Sequence, residues 1–105
     1  MSTIPGKFTA KVVGVTFADG YPDNLKALKV GDRVKLVREP LNKFDSNAVR
    51  LDANDKPIGH VAREVAKRLA EDIDGGAEWG AAVTSVNTYK QNTGVELIFE
   101  RIKQK

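Results

Sequence analysis

"IGHVAREVAKRLAEDIDGG", Ile58 to Gly76, decides the fold, because the hydrophobic period changes inside it. Up to Val61 the chain has the short apolar and alternating runs of half-buried strands. From Arg63 onward, Val65, Leu69 and Ile73 stand four apart with Ala66 and Ala70 beside them, while Arg63, Glu64, Lys67, Arg68 and Glu71 fall elsewhere. That spacing is one apolar stripe along a helix, and Gly75-Gly76 ends it.

On the N-terminal side, "PIGHV" reads as a strand opened by Pro57, which lacks the N–H a ladder needs. "ANDK" folds it back on "NAVRLD", Asn47 to Asp52, as a hairpin. "RVKLV", Arg33 to Val37, alternates basic and apolar residues. "LKALKVGD" reads as a short helical turn and "ADGYPDN" as a turn cluster. "KFTAKVVGVTF", Lys7 to Phe17, is β-branched and aromatic and predicts a long first strand. On the C-terminal side, "EWGAAVTSVNTY" and "GVELIFERI" form a closing hairpin across a "KQNTG" turn, with Val95, Leu97 and Phe99 alternating with Glu96, Ile98 and Glu100. The pattern predicts a mainly β fold with one or two helices, of the α+β class. The expected architecture is an OB-like six-stranded β-barrel with a helix inserted before the last hairpin; a two-layer α+β sheet is the rival.

With 105 residues, the chain reads as a single domain, 1–105, with its core at about 8–102 and flexible ends at 1–6 and 103–105. It has no cysteine, which removes disulfides, thiolate catalysis and zinc–thiolate sites and fits a reducing compartment. No run reaches membrane-spanning length and no signal peptide opens the chain, so the expected location is cytoplasmic, without a membrane partner. The net charge of +3 and pI near 9.3 permit a polyanionic partner without requiring one. There is no Gly-rich phosphate loop followed by Lys and Ser/Thr, and no G-x-S-x-G elbow. With His60 the one histidine, neither a triad nor a metal set is specified. No ATPase, nuclease or hydrolase signature stands out, so a non-enzymatic protein without cofactor or metal is expected.

"VVGVTF", "GDRVKLVREPLNKFDSNAVRL", "IGHVAREVAKRLAEDID" and the final hairpin, in this order, resemble the HIRAN domain over Phe8 to Ile102. That domain occurs in helicase-like DNA-repair and fork-remodelling ATPases and in small standalone bacterial and phage proteins. The resemblance implies an OB-like barrel that binds single-stranded DNA at a free 3′ end, in DNA repair or replication-fork processing, beside a helicase or nuclease partner. It implies that Phe44 stacks on the terminal base and Phe17 on a further one. Asp45 would contact the 3′-hydroxyl, His60 and Arg63 would hold phosphates, and Asn42 lies in the same loop. The sequence departs from the DNA-binding eukaryotic pattern at Thr16 and Ala18, and Phe44 stands where a tyrosine does.

The residues carry their own argument beside the resemblance. Binders of single strands combine aromatic platforms with positive charge, and stacking contributes about 1–3 kcal/mol per base. Phe44 lies in a polar loop, which suits such a platform; Phe17, in an apolar strand, is equally a core residue. An acid near phosphates makes sense if it accepts a hydrogen bond from a hydroxyl, yet Asp45 is also placed for an Asx turn toward Asn47. His60 is either a phosphate donor or a satisfied structural histidine. Arg63 opens a helix, whose N-terminus favours anions. Lys67 extends that basic surface or is a solvated helix charge. A protein-interaction or adaptor module, using an exposed edge of the final hairpin, is the alternative function.

Overall fold

The computed structural model describes residues 4–13, 21–89 and 92–103. In chain order the elements are β1 (Lys7–Lys11), α1 (Tyr21–Lys26), β2 (Arg33–Arg38), β3 (Val49–Ala53), β4 (Lys56–His60), α2 (Arg63–Asp74), β5 (Glu78–Tyr89) and β6 (Asn92–Lys103). All strand pairs are antiparallel, and the six-stranded sheet runs β1-β6-β5-β2-β3-β4. The mainly β reading therefore holds, with both helices present.

β2 turns the sheet. Its first residues, Arg33 and Val34, pair with Ala82 and Ala81 of β5, whereas Lys35 to Arg38 pair with Asp52 to Val49 of β3. One strand shared between two ladders in this way makes the corner of a coiled, barrel-like sheet. The edges β1 and β4 then face one another just past β1. There the N–H of Val13 donates to His60 O at 2.9 Å, and the N–H of His60 returns to Val13 O at 2.6 Å. The fold is OB-like, but the expected closure by a continuous ladder is reduced to this one bridge among the described residues.

Alternation does what the sequence indicates. Val49, Leu51 and Ala53 of β3, and Val95, Leu97 and Phe99 of β6, are buried, and the residues between them are more exposed. Phe8 pairs with Phe99 across β1 and β6, and their rings stack at 4.9 Å with 3° between planes, while Trp79 meets Phe8 at 5.6 Å. Such aromatic pairs contribute about 0.5–1.5 kcal/mol beyond the area they bury. Ala66, Leu69 and Ala70 of α2 are buried, and Val65 and Ile73 pack half-buried on the same core. Beneath the helix, the carboxylate of Asp72 accepts from Trp79 Nε1 at 2.7 Å and Arg101 Nε at 2.9 Å. Packing also extends ahead of Phe8: Ile4 is buried and Gly6 O accepts from the Arg101 N–H.

Two local readings change and a third holds. "YPDN", read as turn, joins Leu25 and Lys26 of the expected helical turn to form α1, with Asp23 in its first turn, and no helix extends over Leu25 to Asp32 as a unit. The last hairpin pairs as far as Tyr89↔Asn92, so most of the expected "KQNTG" turn is strand. The β3–β4 turn is carried by Asn54 and Asp55 at φ of 54° and 63°. Two consecutive left-handed residues are what a two-residue type I′ hairpin requires.

Candidate nucleic-acid interface

The connection from β2 to β3 is built on its own polar side chains and backbone, with further bonds from Arg38 and His60. Glu39 N–H donates to Ala48 O and extends the ladder one step beyond Arg38↔Val49. Asn42 Oδ1 accepts from the N–H groups of Phe44, at 2.9 Å, and Asp45, at 3.1 Å. Asp45 Oδ1 accepts from Asn47 N–H at 2.9 Å, and Asp45 O accepts from Ala48 N–H. These are Asx bonds, which let a side chain stand in for the backbone of a turn. With the polar groups turned inward, Leu41 and Phe44 point out and are 93% and 89% exposed.

The two oxygens of Asp45 are placed differently. Oδ1 builds the turn, and Oδ2 lies 3.8 Å from Arg63 Nε. Arg63 opens α2, and Lys67 follows one helical turn later on the same face. With Asp45, Asn47 and Glu64 they line an open groove of about 450 Å³. Ala62 occupies the N-cap of α2 without a side-chain cap bond, and Glu64 in the first turn is the acid set against the positive end of the helix. The groove lining thus carries two acids and two bases.

His60 is differently placed. Its Nε2 lies 2.7 Å from Glu39 Oε1, and since a carboxylate only accepts, the ring donates from Nε2. The same Glu39 accepts from Asn42 Nδ2 at 3.3 Å and faces Arg50 at 3.5 Å, while Arg50 forks onto Asp52 at 2.8 and 3.0 Å. Glu39 is therefore the hub that ties the histidine to the loop, and the sequence reading missed it. Its partner His60 is 21 residues away on another strand, a separation that no local pattern reveals.

Arg38, the last residue of β2, is used structurally. Its guanidinium forks onto Asp74, Nε to Oδ1 at 2.9 Å and the second terminal nitrogen to Oδ2 at 3.0 Å. It also donates to Ala48 O at 2.8 Å and Ser46 O at 3.1 Å. The Arg38 hydrogen bonds hold the Asp74 carboxyl below its usual range, against a smaller opposing effect of desolvation.

Of the expected site residues, the groove gathers Asp45, Arg63 and Lys67, with Phe44 exposed beside Asp45 in sequence. Asn42 supports the turn from behind, and His60 does not line the groove. Phe17, with Thr16 and Ala18, lies outside the described residues. Among the described residues no group of three or more His, Cys, Asp or Glu side chains could hold a metal ion, and no helix is long and apolar enough to cross a membrane.

Comparison with known proteins places the fold. A SWI/SNF-related chromatin regulator of the subfamily A member 3-like type from Arabidopsis thaliana is 38% identical over 74 residues, which is 70% of this chain and 8% of that protein. The chain thus corresponds to a small part of its much longer relative. A crystal structure of a protein from Lactobacillus plantarum superposes with a TM-score of 0.77 at 30% identity, covering 91% of this chain and 97% of the other. The crystal structure of the HIRAN domain of human HLTF superposes at 0.71 with 25% identity, covering 91% and 74%. The same human domain in its DNA-bound conformation superposes at 0.57 with 23% identity, covering 90% and 74%. The family described as the HIRAN domain matches residues 5–100, and the chain belongs to it.

Proposed function

We propose that this HIRAN domain is a non-catalytic module that binds single-stranded DNA and prefers a free 3′-hydroxyl end. The observation that carries the reading is the division of labour on Asp45: one oxygen fixes the turn, and the other faces an open groove beside Arg63. A carboxylate held there accepts a hydrogen bond from a terminal hydroxyl and repels a terminal phosphate. Arg63 and Lys67 attract the adjoining backbone at the start of α2, and Phe44 offers an exposed ring to the last base. The DNA-bound human domain supports the ligand class. Another relative, named helicase-like transcription factor, supports a helicase companion; a nuclease companion and a place in repair or replication-fork processing belong to the proposal alone.

The test is fluorescence anisotropy at low salt with matched oligonucleotides ending in a 3′-hydroxyl or a 3′-phosphate. Wild type should favour the hydroxyl, and Asp45→Ala should abolish that preference; equal binding of the two ends by wild type refutes the reading. Arg63→Ala should weaken every strand and reduce the slope of log K against log salt by about 0.7. The balanced charge of the groove lining supports the second reading, an adaptor with little DNA affinity. On that reading neither oligonucleotide binds.

A further inference from the structure

Asp45 is useful to a ligand only if its free oxygen is held over the groove, and the turn that carries it is not fixed by its own bonds alone. The carbonyls of Ser46 and Ala48 follow Asp45 directly and accept from the Arg38 guanidinium at 3.1 and 2.8 Å. The same guanidinium grips Asp74 through a two-point fork of 2.9 and 3.0 Å. Asp74 is the last residue of α2, and Arg63 is the first. Along an α-helix eleven residues span about 16 Å. The loop is therefore tied to the far end of the rod whose near end faces Asp45. Arg38 is well covered, with its side chain 14% exposed, whereas that of Asp74 is 57% exposed and outside the groove lining.

We infer that the Arg38–Asp74 fork is a positioning clamp. By fixing the Ser46–Ala48 backbone against α2, it sets the spacing between the Asp45 carboxylate and Arg63, and so makes the groove selective at its end-reading position. Neither clamp residue touches the ligand. A guanidinium is required, since only its planar fork can hold a carboxylate at two points and still reach two carbonyls. The inference rests on the proposed role of Asp45 for its functional half and on geometry alone for its structural half.

The experiment separates the two. Amide exchange of Asn47 and Ala48 is measured by fast solvent-exchange NMR in wild type, Asp74→Asn, Asp74→Glu and Arg38→Lys, and the 3′-hydroxyl over 3′-phosphate affinity ratio is measured on the same samples. In Asp74→Asn and Arg38→Lys the two amides should exchange roughly tenfold faster, the factor that loss of one charged hydrogen bond supplies. Exchange within α2 and the core should stay as in wild type. Asp74→Glu, which keeps the carboxylate, should recover most of the protection. The end preference should collapse in Asp74→Asn with the salt slope unchanged. Unchanged exchange at Asn47 and Ala48, or faster exchange throughout α2, overturns the clamp. Faster loop exchange in a protein whose wild type shows no end preference upholds the clamp and refutes the ligand reading instead.

Discussion

Two carboxylates near the end of α2 each meet an arginine, and their environments predict different consequences of removing them. Asp72 is 4% exposed and accepts from both Trp79 Nε1 and Arg101 Nε, whereas the Asp74 side chain is 57% exposed and meets Arg38 at the surface. Asp72→Ala leaves the Arg101 guanidinium, whose side chain is 16% exposed, without its carboxylate, and leaves a buried indole N–H without an acceptor. Breaking a buried ion pair from one side costs about 3–5 kcal/mol, and an orphaned buried donor costs about 1–3 kcal/mol. Arg101 keeps the carbonyl of Ile4 at 3.3 Å and the face of Trp79 at 5.0 Å, which offsets part of this. The expected loss is about 4 kcal/mol, a large share of the roughly 5–15 kcal/mol by which domains are stable. At about 4–8 °C per kcal/mol for a domain near this size, the melting temperature should fall by more than about 15 °C. Asp74→Ala removes a carboxylate that is itself largely exposed, leaves Arg38 its two carbonyl acceptors, and should cost about 1 kcal/mol. Urea denaturation of both variants and of Arg101→Met checks this, and Arg101→Met should cost far less when added to Asp72→Ala than in wild type. Losses for Asp72→Ala and Asp74→Ala that agree within about 1 kcal/mol would refute the burial argument.

Phe44→Ala should weaken single-strand binding by about 5- to 150-fold, the equivalent of one stacked base. Because the ring is 89% exposed, the thermal midpoint should not move, and unchanged affinity would remove Phe44 from the site. Asp55→Gly, at φ of 63°, should stabilise the β3–β4 hairpin by up to about 1 kcal/mol, read as a higher urea midpoint. Asp74 titrates below its unfolded value, so its pairing with Arg38 is fully present above the unfolded value of about 3.8 and is lost as pH falls through the folded one. Amide exchange at Asn47 and Ala48 should therefore accelerate below pH 4 beyond its intrinsic rate, and Asp74→Asn should abolish that acid-dependent component.

The legible parts of the fold are those written in short-range periodicity. α2 follows from the spacing of Val65, Leu69 and Ile73, and the buried face of β6 from the alternation of Val95, Leu97 and Phe99. α1 was hidden because Pro, Asp and Asn serve both turns and helix starts: Pro22 and Asp23 suit a first helical turn as well as a bend. The extent of the last hairpin was hidden because Asn92, Thr93 and Gly94 have turn chemistry but continue the ladder. In the site, Asp45, Arg63 and Lys67 were visible as polar residues in a loop and on one helix face. What they are held by was not: Glu39 reaches His60 across 21 residues, and Arg38 reaches Asp74 across 36. The bridge between Val13 and His60, the one contact between these two edges among the described residues, likewise depends on how far the sheet coils, which no strand encodes alone.

The pairing of β1 with β6 has a consequence for how such a unit is tethered. Lys7 lies opposite Glu100, so the chain enters β1 and leaves β6 at the same end of the sheet. Val13, which bridges to His60, is six residues further on. At about 3.3 Å per extended residue, that places it roughly 20 Å from the point of attachment. A unit strung into a longer polypeptide by these two strands would hang from one pole, as from a stalk. The His60 end would face outward, unobstructed by whatever the stalk is joined to.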